Sequence, residues 1–291
     1  MTLGAARITQ GAAGWQIDRQ SGPDLAAHLV GRAVEEAAVL LPRLFNLCRM
    51  AQATAAEVAL GLPHATDTGA EVIRDHLARI FVTLRRAFEL PPLRPDPAEV
   101  PGAAGRLPAT LNELSAWLAS PLPAADLGRA VARSFPRGLG AVPPLPQPQG
   151  AAMGAFENAP AGRQAGHPLL RAVEADQGRS PLWRYLGMLV DLEAARDGAL
   201  PPPRRLPDGT AVVQAARGAY ALRLGQAGGR VTSVLRITPT DHQLAPGGAL
   251  SLALASLPGD RPDLAARLVA LHDPCIPVTV APVTVAEVSH A

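Results

Sequence analysis

Residues 43–52 read Arg-Leu-Phe-Asn-Leu-Cys-Arg-Met-Ala-Gln, and residues 272–278 read His-Asp-Pro-Cys-Ile-Pro-Val. These stretches contain Cys48 and Cys275, the two cysteines of the chain. A proline interrupts a helical pattern just before the first stretch, and an Asp-Pro turn begins the second. Each thiol is therefore expected at an element boundary, where a side chain can be aimed into a pocket. Two thiols exclude a disulfide framework and any four-cysteine metal site built by one chain.

Helical periodicity surrounds the first stretch. Apolar residues recur at helical spacing over 23–41, resume over 51–60, and repeat over 67–90, where two prolines stop the helix. Thr110 stands three residues before Glu113, which predicts a capping box at the start of a short helix. A further helix is expected over 124–135. Ser180, followed by proline, predicts the N-cap of another that runs to residue 197.

The pattern changes in the last third of the chain. Short β-branched or alternating stretches at 211–214, 219–224 and 230–238 are separated by Gly-rich turns, which predicts a small antiparallel sheet. The sequence again predicts helices over 247–256 and 260–271, and residues 275–285 are expected to be extended. The sequence therefore predicts an α+β fold that is mainly helical.

The length allows a sizeable core and roughly two domains. Hydrophobic residues make up 48% of the 291 residues, so wholesale disorder is not expected. Residues 136–168 are dense in Pro and Gly and are predicted to form an extended connection that lacks regular helix. They would link an N-terminal helical part (residues 1–135) to a C-terminal α+β part (residues 169–291), the two sharing one core.

Charge and hydropathy exclude two classes of partner. All 27 basic residues are arginines spread along the chain, and the net charge is only +2, whereas a nucleic-acid surface needs a clustered basic stripe. No segment reaches the roughly 20 apolar residues that span a bilayer, and residues 1–20 lack a signal-peptide pattern. We therefore expect a cytoplasmic protein with reduced thiols that binds neither nucleic acid nor membrane.

Four segments resemble motifs of nickel-iron hydrogenase large subunits, in the same order along the chain. Residues 43–52 are similar to the N-terminal metal motif Arg-x-Cys-Gly-x-Cys with a following His, and residues 273–281 to the C-terminal motif Asp-Pro-Cys-x-x-Cys-x-x-His. Residues 214–219 are similar to the Ala-Pro-Arg-Gly-Ala segment of that family. Residues 237–246 are similar to its Pro-Thr-Thr-Trp-Asn stretch with a later proline.

The departures from these motifs are systematic. Phe45 and Val278 occupy two of the four thiolate positions, and Gln52 and Ala281 occupy those of the motif histidines. Large subunits of this type use four thiolates to hold nickel and iron, so we expect no nickel and no catalysis here. The pattern resembles the hydrogenase expression/formation proteins of the HupK/HoxV type, which are degenerate paralogues of the large subunit. That resemblance implies a reduced large-subunit-like fold.

The resemblance also implies a role and a site. In that family the proposed role is a scaffold on which an iron-cyanide-carbonyl group is assembled or passed on. It implies that Cys48 and Cys275 are metal ligands and that Arg217 is a cation near the cyanide and carbon monoxide ligands of the iron. It also implies that Asp273 is a hydrogen-bond acceptor that does not touch the metal. Because such an iron brings two cyanides and one carbon monoxide, two soft thiolates would nearly complete its shell. The implied partners are hydrogenase accessory proteins and the large-subunit precursor.

Other interpretations stay open. The chain could be a metal-free chaperone of the large-subunit precursor, with residual cysteines, or an active hydrogenase subunit, which the missing thiolates count against. Without the family, a lone cysteine is more often a small buried hydrophobe. Arg217 could form a surface salt bridge, and Asp273 could simply begin a turn. His272 and His242 could add ligands or be ordinary satisfied histidines.

Overall fold

The computed structural model describes residues 4–12, 14–22, 24–45, 47–64, 68–99 and 106–281. Helices are present in each region where the sequence predicts them, and three helices that were not predicted lie at Pro160–Arg163, Pro168–Gln177 and Pro239–Gln243. Short 3-10 turns lie at 41–43 and 97–99. The helices are α1 (Leu25–Leu29), α2 (Val34–Leu40), α3 (Arg49–Leu60), α4 (Gly69–Ala78), α5 (Leu84–Ala87), α6 (Leu111–Leu118), α7 (Pro123–Ser134), α8 (Pro160–Arg163), α9 (Pro168–Gln177), α10 (Pro181–Arg196), α11 (Pro239–Gln243), α12 (Ala249–Ala255) and α13 (Pro262–His272).

The predicted helix caps are confirmed. The Thr110 hydroxyl accepts from the Glu113 amide, and the Glu113 carboxylate accepts from the Thr110 amide, which completes the capping box of α6. The Ser180 hydroxyl accepts from the Trp183 amide at the start of α10. Helix α10 is buried along almost its whole length and packs against α4, α7, α8, α9 and α13, so it forms the centre of the main core.

Two helix predictions need correction. The single helix expected over 23–41 is broken into α1 and α2, because the chain turns at Gly31, whose φ of 85° is left-handed. The helix expected over 67–90 contains a π-helical turn at 79–83 between α4 and α5. The periodicity of apolar residues survives both interruptions, which is why it does not reveal them.

The Pro-rich segment also differs from expectation. It contains a helical turn, α8, and it packs closely against the core. A Cβ atom on Gly187 of α10 would lie 2.2 Å from the Cβ of Ala161, so the two helices touch at their backbones. Glu157 in the same segment is buried and forms a bidentate ion pair with Arg184.

The predicted antiparallel sheet is confirmed, and a second sheet was not predicted. Strands β4, β5 and β6 pair in hairpin order, with the two-residue strand β3 on the free edge of β4. In the second sheet, β1 pairs antiparallel with β2 and parallel with β7. The strands are β1 (Ala5–Gly11), β2 (Gly14–Gln20), β3 (Arg204–Arg205), β4 (Ala211–Ala215), β5 (Gly218–Ala227), β6 (Arg230–Ile237) and β7 (Val278–Val280).

The apolar residues form two principal clusters. The larger centres on α10 and includes α7, α9, α12 and α13 together with Ile8 of β1. The smaller packs α1, α2 and α3 against the face of β4, β5 and β6. Cys275 packs against the larger cluster and Cys48 against the smaller one. No helix in the described ranges is both long enough and apolar enough to cross a bilayer.

Candidate metal-cargo site

Cys48 is the N-cap residue of α3 and has an unusual backbone. Its φ of 52° and ψ of 41° are left-handed, which is uncommon outside glycine and clusters at functional sites. The thiol makes no capping bond. Instead, the Glu71 carboxylate on α4 accepts from the amides of Met50 and Ala51, at 3.1 and 3.2 Å. The Cys48 side chain is therefore not needed to cap the helix.

The turn before Cys48 is held by the residue at the position of the family histidine. The Gln52 amide donates from Nε2 to the carbonyl of Leu47 at 2.8 Å. Phe45, at a missing thiolate position, is buried in the smaller cluster, and the Arg236 guanidinium lies 4.5 Å from the centre of its ring. An aromatic core residue thus stands where the motif that this stretch resembles has a cysteine.

Cys275 follows a second left-handed residue. Asp273, with φ of 49°, ends α13 by donating its amide to the carbonyl of Val269. The Cys275 amide donates to Thr240 Oγ1 at 2.7 Å, and that hydroxyl donates to Cys275 Sγ at 3.0 Å. Beyond the cysteine, β7 pairs with β1. Helix α11 on one side and the mixed sheet on the other therefore fix the position of this thiol.

Arg217 lies in the turn between β4 and β5 and joins the two cysteine segments. Its guanidinium places Nη1 3.6 Å from Cys48 Sγ and 3.4 Å from an oxygen of Asp75, while Nε lies 2.8 Å from Asp273 Oδ2. Arg79 lies 3.3 Å from the same Asp273 oxygen. Burial disfavours the charge of Arg217, but Asp273 and Asp75 outweigh it and raise its pKa above the ordinary value.

Both cysteines line one small cavity between the two apolar clusters. Its volume is about 40 Å³, room for about three water molecules. Arg217, Tyr220 and Arg236 share its lining with the thiols. The structure thus brings together Cys48, Cys275 and Arg217, with Asp273 behind the arginine. Within the described ranges, no group of three or more His, Cys, Asp or Glu side chains is arranged to hold a metal ion.

The two histidines considered as extra ligands lie elsewhere. His242 is hydrogen-bonded through Nδ1 to Asn158 and through Nε2 to the carbonyl of Ala152, so it serves the packing of the Pro-rich segment. His272 is buried and finds no hydrogen-bond partner among the described residues. Burial is the main cause that lowers its pKa well below the ordinary value, with Arg184 and Arg79 adding to it.

A buried polar network supports the segment that carries Arg217. Asp191 on α10 pairs with Arg163 on α8 through Nε at 2.5 Å and with His76 Nε2 at 2.8 Å. Arg163 in turn donates to the carbonyl of Ala215 at 2.8 Å. Burial lowers the pKa of His76, so the neutral ring donates its Nε2 proton to the carboxylate. This network connects the main core to the end of β4.

Asn158 clamps the other side of the same turn. Its side chain donates to the carbonyl of Ala219 at 2.8 Å and accepts from the Ala219 amide at 2.6 Å. The close approach requires Gly218, because a Cβ atom there would lie 2.4 Å from Asn158 Oδ1. The described contacts therefore hold Arg217 between two clamps, one from α8 and one from the loop before it.

Comparison with known proteins now gives the family. No protein-family model matches the chain. The hydrogenase expression/formation protein HupK of Rhodobacter capsulatus is 44% identical over 269 residues, which cover 88% of this chain and 89% of that protein. The chain belongs to the HupK family. The resemblance drawn from the two cysteine stretches is thereby confirmed.

Solved structures confirm the fold expected of a HupK-type protein. A reduced, active nickel-iron-selenium hydrogenase from Desulfomicrobium baculatum superposes with a TM-score of 0.59 at 13% identity, over 90% of this chain and 93% of that one. The reduced enzyme from D. vulgaris Hildenborough gives 0.55 at 13% identity, over 91% and 94%. At this identity the match concerns the fold, which is α+β and like that of the hydrogenase large subunit.

Several residues that contact the two cysteine segments were not predicted from the sequence. Thr240 lies in a segment that resembles the family, but its contact with Cys275 depends on the position of α11. Glu71 and Asp75 stand one helical turn apart on α4, so both face the N-terminus of α3. That spacing was visible in the sequence. That Glu71 contacts the start of the helix predicted over 51–60 was not visible, because the contact joins two separate segments of the chain.

The protonation state of Cys48 gives a testable pH dependence. Burial raises the pKa of its thiol from 9.0 to about 12 against the opposing charge of Arg217, with Glu71 and Asp75 adding to the rise. In the Cys275→Ala variant, Cys48 is the only thiol. We expect its alkylation rate with iodoacetamide to rise about tenfold per pH unit from about pH 7 to about pH 10, without levelling off.

The same variant unfolded in urea is the control for that measurement. Its thiol is solvated, so its rate should level off near the ordinary thiol pKa. A folded protein whose rate also levels off there would show that Cys48 titrates as an exposed thiol.

Proposed function

We propose that this chain acts in nickel-iron hydrogenase maturation as a non-catalytic scaffold for the iron-cyanide-carbonyl group that the large subunit receives. The observation that carries the proposal is the shared cavity, which both cysteine side chains line beside the guanidinium of Arg217. The iron group is a cargo that is loaded and passed on. The partners would be the accessory proteins that build it and the large-subunit precursor that accepts it.

The chemistry of the donor set suits this cargo. Iron that carries two cyanides and one carbon monoxide has much of its coordination filled before it meets the protein, and thiolates are soft ligands suited to it. Arg217 is held charged and is positioned by Asp273, and a guanidinium offers several donors to the cyanide nitrogens. Loading would displace the Cys48 proton, which burial otherwise retains.

The two lost thiolate positions support a site without nickel. Phe45 is packed in the smaller apolar cluster. Val278 lies in β7, where its Cα pairs with that of Ala6. Both positions now serve the core or a sheet, so neither supplies a ligand. A nickel ion that needs four thiolates would find only Cys48 and Cys275.

Infrared spectroscopy tests the proposal directly. The chain is purified anaerobically from a host that contains the maturation machinery, as wild type and as the Cys48→Ala and Cys275→Ala variants. We expect cyanide and carbonyl stretching bands in the wild type and their loss to background in each cysteine variant. Ser115→Ala, at an exposed position on α6, is a control that should retain every band.

The outcomes separate the proposal from its rival. If folded wild-type protein shows no cyanide or carbonyl bands but binds the large-subunit precursor, the metal-free chaperone replaces the scaffold. If the bands persist in both cysteine variants, the cargo is held elsewhere. Hydrogen turnover by the purified chain would instead support the active-subunit interpretation.

A further inference from the structure

Two residues that line the cavity, Tyr220 and Gln52, each have a buried polar atom with no hydrogen-bond partner among the described residues, namely the Tyr220 hydroxyl and Gln52 Oε1. Tyr220 lies on β5, is 4% exposed and lines the cavity together with both cysteines. Its hydroxyl has no hydrogen-bond partner among the residues that the structure describes. Buried hydroxyl groups nearly always have a partner, so an unpartnered one at a binding cavity indicates an occupant that completes it.

The other tyrosine of the chain shows the ordinary arrangement. Tyr185 is also buried, and its hydroxyl donates to the carbonyl of Ala124 at 2.6 Å. Tyr185 does not line the cavity. The two phenols therefore form a matched pair: one makes its hydrogen bond inside the protein, and the other makes none with the residues that the structure describes.

The groups around Tyr220 narrow the nature of the occupant. Arg217 and Arg236 line the same cavity, and guanidinium groups are hydrogen-bond donors without acceptor capacity. The hydroxyl of Thr238, which also lines the cavity, already donates to Asp241 Oδ2 and accepts from the Asp241 amide. Gln52 Oε1 is an acceptor, whereas the Tyr220 hydroxyl and the two guanidinium groups are donors, so an occupant that satisfies these three groups presents acceptor atoms away from the two thiols.

We propose that Tyr220 donates its hydroxyl proton to a metal-bound cyanide, so that the cavity selects iron already carrying cyanide over a bare metal ion. This inference rests on the proposed scaffold function. A coordinated cyanide has a nitrogen lone pair directed away from the iron, whereas a bare divalent ion offers no such acceptor. The reaction that attaches cyanide to iron would therefore precede loading of this chain.

The test compares Tyr220→Phe with Tyr185→Phe under the loading conditions described for the cysteine variants. Loss of the donor should displace at least one cyanide stretching band in Tyr220→Phe, with a smaller change in the carbonyl band. It should also speed the loss of bound iron by about tenfold, the effect of one hydrogen bond. Tyr185→Phe should leave band positions and iron release unchanged, although it removes a phenol hydrogen bond of the core.

A second measurement uses ferrous iron alone as the probe. Its binding to the anaerobic protein should be the same in the wild type and in Tyr220→Phe, because the bare ion presents no acceptor to the phenol. Unchanged cyanide bands in Tyr220→Phe would overturn the inference and leave the scaffold standing. Equal loss of ferrous iron binding and of the cyanide-bearing group would also overturn it. Absence of all bands from folded wild-type protein would overturn both proposals.

Discussion

Replacing Asp191 with alanine is expected to lower the free energy of unfolding by about 3–5 kcal/mol. The carboxylate is fully buried and is shared by Arg163, His76 and Gln164. Burial by itself would raise its pKa, but the charge and hydrogen bonds of Arg163 outweigh this and hold the pKa well below its usual range. Removal of the carboxylate leaves a guanidinium buried without its counter-charge, which is the costly way to break an ion pair.

The effect should reach the cavity that both cysteines line as well. Arg163 also holds the carbonyl of Ala215, two residues before Arg217. A shift of Arg163 toward solvent would loosen that end of β4. We therefore expect Asp191→Ala to reduce loading with the iron group even under conditions where the variant remains folded.

Denaturant unfolding measures the first effect, and Asp263→Ala is its control. Asp263 pairs with Arg261 at the exposed start of α13, and exposed pairs contribute about 0–1 kcal/mol. The stability of Asp191→Ala could instead lie within about 1 kcal/mol of wild type, as expected for this control. That result would show that the buried ion pair contributes no more than an exposed one.

The Gly218→Ala substitution is expected to cost about 3 kcal/mol and to disrupt the site. Gly218 has a φ of 136°, which side-chain-bearing residues rarely adopt, and an added Cβ would lie 2.4 Å from Asn158 Oδ1 and 2.8 Å from its carbonyl oxygen. Relief of the clash separates Asn158 from the backbone of Ala219. Because Arg217 directly precedes the glycine, its guanidinium would then lose its position beside Cys48.

The Gly228→Ala variant separates the stability cost of backbone strain from the cost of the clash with Asn158. Gly228 also has a positive φ, of 55°, but no other atom of the described residues lies within 4 Å of where its Cβ would be, its two chain neighbours aside. It should cost only the backbone strain, about 1 kcal/mol. Denaturant unfolding gives the stabilities, and the infrared bands report loading. Equal stability losses in the two variants would show that the Asn158 contact contributes nothing.

Local chemistry made much of the helical framework predictable. Thr110 and Ser180 cap their helices as expected, because capping joins a side chain to an amide three residues away. The break at Gly31 and the π-helical turn at 79–83 were not predictable in this way. Both interruptions leave the apolar residues on the same face of the helix. The periodicity of apolar residues is therefore unchanged and does not reveal them.

The mixed sheet shows a different limit. Strands β1 and β2 form a hairpin near the start of the chain, whereas β7 joins them from residues 278–280. Parallel pairing of β1 with β7 depends on how the intervening core folds, and the sequence of neither strand indicates which strand it pairs with. That pairing matters for function, because it fixes the backbone just beyond Cys275.

By itself the sequence determined the helix-rich α+β class and the approximate bounds of the helices that it predicted, although it missed α8, α9 and α11. It also determined the family, through two cysteine stretches and the segment around Arg217. Only the tertiary structure decided that both thiols line one cavity and that Glu71 caps the helix of Cys48. It also decided that the hydroxyl of Tyr220, which lines that cavity, has no partner among the described residues. The physical reason is how far apart along the chain the interacting residues lie. Caps and periodicity act within a few residues and leave local patterns, whereas the site is built from contacts between distant segments, which leave none.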